Sequence, residues 1–426
     1  MSQSEVRLAT YDAIHQALHH PELSRGLDRR SFEEGNARAG ILSLLHGDEH
    51  QHRRRLESRL FDRRALVTYE RELFPRVLSG VLDRAALGRV DLFELGGMLS
   101  VVLAARRAGI DHDGTLEELG RLFGHVKVIA QAAAVHDIVG DRDRVQAEAA
   151  HVLRELDKGY VLPARRRREQ MLDRAADGST GEGAVSEDLM TVALRGLREG
   201  DATFADHDLL VREVALFLHG GSHTSAQTLC NAFYYLLGLD GPGPRTDWLR
   251  RVAQSPLDAQ RCVHETVRLR PTNPEMKRVA GADVDVAGAQ IPVGTTVVLD
   301  ARTANREPDL FGTHPERFDP DRDVRDDVPL WGFSFGSGAH ICIGRSVAGG
   351  FPLTGAKLRG GVSPAHLYGL VALTVRAVAA RGVLLDPDSM PELDERTTRG
   401  TRWSRFPVVL PARSGQVNDL AHRPSG

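Results

Sequence analysis

Cys342 stands in a glycine-rich stretch, Phe335-Gly336-Ser337-Gly338-Ala339-His340-Ile341-Cys342-Ile343-Gly344. The glycines allow tight or left-handed backbone and let a flat group approach the chain closely. Backbone N–H groups in such a turn, and a helix start just beyond it, favour thiolate over thiol. A thiolate held this way can serve as an axial ligand to haem iron. The same turn also suits an inert, buried cysteine, so the rest of the chain has to decide between the two.

Three other groupings have chemistry in reach. His219-Gly220-Gly221-Ser222-His223-Thr224-Ser225 interrupts a long apolar-periodic stretch. Paired glycines and clustered hydroxyls are poor choices for a helix that only packs, and they predict a local kink where something approaches the backbone. His50 and Arg54 are four residues apart in a basic segment, 48–61, and project from one side of a helix. Taken alone, that segment reads as a solvated basic face. Glu265 and Arg268 also share a helix face, and as a surface ion pair they would contribute little.

Composition narrows the classes. The chain has 426 residues and a formal net charge of −3, which gives no case for nucleic acid as a partner. Its opening residues are interrupted by Arg7, Asp12, His15 and His19, so neither a signal peptide nor a membrane anchor is expected. Cys230, Cys262 and Cys342 are far apart and form no Cys-x-x-Cys pair. That argues against a zinc site or disulfide framework and fits a reducing cytoplasm.

The elements that must position these residues are mainly helical. A short strand and helix are predicted over 6–19. Alanine-rich helices follow over 95–108, 116–136 and 143–155, then further helices from 163 and over 188–195. A flexible loop is expected over 175–186. The longest periodic stretch, 208–237, reads as a central buried helix. Helices over 248–253 and 257–269 precede strands over 277–280, 284–287, 290–291 and 295–299. A proline-rich meander over 305–322 leads to the cysteine turn. A last helix over 367–380 precedes strands near 383–385 and 408–410, and the tail after 414 is expected to fray. With no internal repeat and no composition break, residues 1–426 read as one large domain, mainly α with minor β-sheets.

In this order the motifs resemble the cytochrome P450 family in its soluble bacterial form, across nearly the whole chain. The resemblance implies the P450 fold and haem b as cofactor. It makes Cys342 the iron ligand within a loop that includes Phe335, Gly336 and Gly344. It implies a buried triad of Glu265, Arg268 and, from Pro315-Glu316-Arg317-Phe318, Arg317. It also implies that His50, Arg54, Arg278 and His340 hold the haem propionates, since buried carboxylates need cationic donors. Thr224 matches a threonine that holds a water and relays protons. Leu216, Phe217, Gly220 and Gly221 are then expected to line an apolar substrate pocket, with Asn273 and Met276 adding a wall after Pro271.

The chain departs from the family pattern in three places. His223 stands where an acidic residue usually precedes the threonine, and it either replaces that proton carrier or marks chemistry that needs no such relay. The chain before His50 is shorter than in typical relatives, which predicts that the first helix and part of the outer sheet are missing. Residues 347–368 read as an insertion after the cysteine loop, near where an electron donor docks. The implied function is a haem-thiolate monooxygenase acting on a small apolar or aromatic molecule in secondary metabolism, served by a ferredoxin and its reductase. The alternatives are an enzyme that takes a pre-oxidised substrate without external electrons (a peroxygenase, dehydratase, isomerase or group-transfer catalyst) and a non-catalytic haem-binding protein.

Overall fold

A computed structural model of the chain describes residues 4–25, 38–85, 88–134, 137–179, 185–241 and 243–411. The tail expected to fray after 414 lies outside the described residues, as do positions 180–184 of the predicted loop and 135–136 at the end of a predicted helix.

Helices dominate, and small residues set how closely they cross. The helix Leu92–Ala108 starts at Asp91, whose carboxylate accepts from the N–H groups of Phe93 and Glu94, and ends at Gly109 with a left-handed φ of 82°. Cap and stop both supply partners for helix-end groups that would otherwise be orphaned. Its Gly96 and Gly97 are needed for packing. A Cβ on Gly97 would lie 2.2 Å from the Phe123 ring, and one on Gly96 would lie 2.7 Å from Leu229. This helix therefore lies close against both Leu116–Ala133 and the central helix, inside the largest apolar cluster.

The central helix runs from His207 to Leu236 with a π turn at His219–His223. The kink predicted from the paired glycines is this turn. A π turn displaces carbonyls from their usual partners, and the local hydroxyls answer. Thr224 Oγ1 donates to Gly220 O at 2.7 Å, Ser225 Oγ to Gly221 O at 2.8 Å, and Ser222 Oγ to Leu218 O. Serine and threonine, weak helix formers elsewhere, suit this irregular turn.

The sheets are small. In the four-stranded one, Thr296–Asp300 pairs in parallel with Glu5–Leu8 and antiparallel with Glu275–Ala280, which Leu23–Ser24 extends. The two-residue strand period puts Met276 and Arg278 on one face. A three-stranded sheet orders Gly88–Asp91, Pro407–Leu410 and Leu384–Leu385. Periodicity missed the strands Leu23–Ser24, Gly88–Asp91, Glu392–Leu393 and Trp403–Arg405. Among the described residues, no helix is long and apolar enough to cross a membrane.

The segment read as an insertion leaves and rejoins one helical path. Arg345–Ala348 starts a helix, and Leu370–Ala379 follows after an excursion that contains Gly355–Gly360. Its two ends touch, because a Cβ on Gly369 would lie 2.3 Å from Gly350 N. Buried side chains pin it from below. Gln260 Nε2 donates to the carbonyls of Gly349 (2.9 Å), Phe351 (3.0 Å) and Leu367 (3.3 Å). Glu70 accepts from the N–H groups of Tyr368 and Gly369 at 2.9 and 2.8 Å.

Candidate functional site

Cys342 is anchored by its own backbone, its N–H donating to Phe335 O at 2.8 Å across the turn. Gly336 at the turn has φ 69° and Gly338 has φ 66°, and a Cβ on Gly338 would lie 2.3 Å from Leu18 O, so both positions call for glycine. The thiol side is open, although protein surrounds the group densely. Burial raises the Cys342 pKa, while the N–H groups of Gly344 and Arg345 and the charges of Arg54 and Arg345 pull it down. A sulfur that receives two N–H donors beside two cations is prepared to act as an anionic ligand. Phe335 meets the Trp331 ring edge-on at 4.8 Å, and that ring lies 4.6 Å from His264.

Cations gather next to this sulfur. His50 and Arg278 are buried, and the His50 ring lies 4.0 Å from that of His340. Arg54 donates to Ile341 O at 2.6 Å and Arg278 to Lys277 O at 2.8 Å, so carbonyls rather than carboxylates are the acceptors seen here. Burial first, then the charge of Arg54, holds His50 down to about 4. Burial, then His50 and Arg25, holds His340 down to about 2, and burial with Arg25 lowers Arg278 to about 9. The desolvated cations Arg25, Arg54 and Arg278, beside two imidazoles held neutral, call for anionic partners. The four residues expected to hold propionates are thus brought together, and Arg25 joins them. Sequence reasoning missed Arg25, which follows the two-residue strand Leu23–Ser24, too short to register as a pattern.

The triad is present with one member corrected. Glu265 and Arg268 form two hydrogen bonds of 2.7 Å, both side chains fully buried. The third cation is Arg322, whose Nε lies 3.1 Å from Glu265 Oε1. The Arg317 side chain is 70% exposed and, among the described residues, pairs only with Glu316, at 3.8 Å. Arg322 also donates to the carbonyls of Phe311, His314 and Arg317, folding the meander around itself. Arg268 passes this order to the cysteine turn. It donates to Asn305 O at 2.6 Å, and Asn305 Oδ1 accepts from Phe333 N at 2.7 Å.

The π turn divides its residues between two environments. A Cβ on Gly220 would have no atom within 4 Å, so Gly220 faces open space, whereas one on Gly221 would lie 3.1 Å from Ala104 Cβ. Gly221, expected in the pocket lining, serves helix packing instead. Leu216 is half-buried, four residues before Gly220. Phe217 is half-buried, its ring 6.0 Å from that of Phe61, which itself lies 3.9 Å from where a Gly344 Cβ would be, on the cysteine-loop side. Asn273 Oδ1 accepts from Arg399 at 2.9 Å. Met276 packs with the sheet cluster, its Sδ 3.9 Å from where a Gly336 Cβ would lie, and so belongs to the cysteine-loop side.

His223 is buried, edge-on to Phe93 at 5.6 Å, with its Nε2 facing an Arg402 N–H at 3.5 Å. Burial, then Arg402 and His219, push its pKa well below the usual value. It is a neutral acceptor on the packed side of the helix.

These groups fit a haem: a sulfur faced by two N–H groups and two cations, desolvated arginines with no ion pair among the described residues for two carboxylates, and a glycine that leaves the helix face open. Comparison with known proteins agrees. The cytochrome P450 family model matches residues 257–349. The chain is 27% identical over 369 residues to cyclooctat-9-en-7-ol 5-monooxygenase of Streptomyces melanosporofaciens, covering 77% of this chain and 75% of that one. It is 28% identical over 323 residues to C-19 steroid 1alpha-hydroxylase of Sorangium cellulosum, covering 75% and 72%. Its fold is similar to the crystal structure of CalO2, with a TM-score of 0.68 at 21% identity over 95% of this chain and 90% of that one.

Proposed function

The chain belongs to the cytochrome P450 family of haem-thiolate oxidoreductases, with haem b as cofactor, and on that premise we propose that it is a monooxygenase of a small, largely apolar or aromatic molecule in secondary metabolism. Cys342 would hold the iron, and His50, Arg54, Arg278 and His340, with Arg25, the propionates. When bound, haem supplies the redox-active iron at which dioxygen is reduced and one oxygen atom is passed to substrate.

The chain's own contribution is positional. Burial raises the Cys342 pKa, and the N–H groups of Gly344 and Arg345, directed at the sulfur, oppose that shift and would favour its anionic form as a ligand. Thr224 Oγ1 rests its proton on Gly220 O at 2.7 Å, which leaves its oxygen lone pairs able to accept from a water at the π turn. That hydroxyl, beside a glycine facing open space, is the observation that carries the monooxygenase reading. Glu265, Arg268 and Arg322 hold the cysteine loop, through Asn305 and Phe333, and take no chemical part.

The test is turnover with isotopically labelled dioxygen. The purified protein, supplied with a ferredoxin, its reductase and NAD(P)H, is expected to incorporate one labelled oxygen into a terpenoid or steroid panel. Thr224→Ala is expected to consume reductant with little product. One observation favours a second reading. His223 is buried and neutral where the family usually has an acid, so chemistry on a pre-oxidised substrate without external electrons would not need it. Product formed with peroxide or substrate alone, and none with ferredoxin, would establish that reading and reject the first.

A further inference from the structure

A second basic group, two arginines and a neutral histidine, lies beside the π turn, apart from His50, Arg54, Arg278 and His340. Arg402 is only 8% exposed, and its buried NH1 has no hydrogen-bond partner. Its NH2 donates to Ala130 O at 3.1 Å and faces His223 Nε2 at 3.5 Å. His219 opens the π turn, and its Nδ1 is likewise buried without a partner. Arg399 completes the group, donating to Thr272 O at 3.0 Å and Asn273 Oδ1 at 2.9 Å.

The carboxylates nearby are already engaged. Asp137 takes Arg399 at 2.6 Å and Asp394 takes Arg396 at 2.8 Å. No ion pair reaches Arg402 among the described residues. A buried guanidinium without an anion is costly, and an arginine fork matches a carboxylate in shape as well as charge. The group is also in the right place. The His219 ring lies 5.7 Å from that of His223, which Arg402 faces, and the next residue, Gly220, faces open space.

We propose that Arg402, with Arg399 and His219, binds an anionic group of the substrate, specifically a carboxylate carried by an otherwise apolar molecule. This rests on the monooxygenase reading and names its substrate class. It assigns the substrate's apolar body to the open side of Gly220 and its acid end to the segment before Trp403.

The test uses the haem-loaded protein and matched pairs: decanoate and 4-phenylbutyrate, each against its methyl ester. Binding is followed by the shift of the haem absorption band. At least one acid is expected to bind about tenfold more tightly than its ester, equal to about 1.4 kcal/mol, and Arg402→Met is expected to erase that ratio at unchanged haem content. If Arg402→Met loads no haem, Arg399→Gln, which touches less of the core, is expected to lower the ratio at least threefold. The proposal is overturned if no acid outbinds its ester, including the case where no acid binds, or if the preference survives in the loaded variants. Acid preference without reductant-dependent product rejects the monooxygenase reading alone. Labelled-oxygen incorporation into an ester, without acid preference, rejects the anion site alone.

Discussion

Arg322 Nε lies 3.1 Å from Glu265 Oε1, on the carboxylate that also takes two hydrogen bonds from Arg268. Arg322 is almost fully buried, and its remaining donors hold three carbonyls of the meander. Removing one partner of such a network leaves charge and carbonyls unpaired in the interior, at a cost of about 3–5 kcal/mol. Arg322→Ala is therefore expected to lose haem and unfold at much lower urea. Arg317→Ala, at an exposed position, is expected to change stability by no more than about 0.5 kcal/mol. Equal losses in the two variants would refute the assignment.

The pair also shows where the sequence stops being informative. Glu265 and Arg268 are legible because an i, i+3 pair on a periodic helix must meet. Arg317 and Arg322 both lie in a proline-broken meander with no period, and spacing cannot say which one turns inward. Burial decides it. Most helices, though not Arg63–Thr68 or Phe74–Ala85, and the glycine kink were legible for the same reason as the first pair, since periodicity and glycine pairs are local signals. Arg25, Arg399 and Arg402 were not, because their partners lie on distant segments and nothing local marks an arginine that will be buried.

A second buried carboxylate gives a pH prediction. Glu57 and Glu213 are fully buried, and both Glu57 oxygens lack a partner. Arg53 and the Leu42 N–H both bind Glu213 at 3.0 Å. Burial, then the neighbouring Glu213, raises the Glu57 pKa well above the usual value, and burial pushes Glu213 up to about 7. The pair retains a proton, which we place on Glu57. An acid with a raised folded pKa has its full stability below the unfolded carboxylate value of about 4.3, and loses stability as pH rises above it, because only the unfolded chain releases the proton. Glu57→Gln removes this loss. It is expected to be more stable than the parent by about 1 kcal/mol or more at pH 8, since a tenfold difference in proton affinity between folded and unfolded chain is worth about 1.4 kcal/mol. The advantage is expected to shrink towards pH 4. Parallel stability curves across that range would contradict it.

The excursion after the cysteine loop depends on its closure point. Gly369 has φ 86°, and a Cβ there would meet the backbone of Gly350 and Gly349 at 2.3 and 2.5 Å. Neither neighbour is a flexible tip, so Gly369→Ala is expected to lower stability by about 2 kcal/mol or more. Gly360 has no atom within 4 Å of its Cβ position and no positive φ. Gly360→Ala is expected to be neutral or to stabilise by up to about 1 kcal/mol. Thermal unfolding of both variants, with limited proteolysis of 349–369, reads the difference.

The last prediction concerns His223 and Arg402. His223 Nε2 faces the guanidinium at 3.5 Å as a neutral acceptor. His223→Asp would restore the acid usual in the family, but here the new carboxylate would lie against a buried arginine with an unused donor. A charge-assisted pair would form and occupy Arg402. If Arg402 reads the substrate's carboxylate, His223→Asp is expected to lower the acid-over-ester binding ratio about tenfold, although nothing that touches the substrate has been removed. His223→Gln keeps a neutral side chain there and is expected to leave the ratio within about twofold. A ratio unchanged in His223→Asp, measured at full haem content, would mean that the anion is read elsewhere. Recovery of the ratio in His223→Asn, which has the shape of aspartate without its charge, separates the loss of the free guanidinium from any change in packing against Phe93.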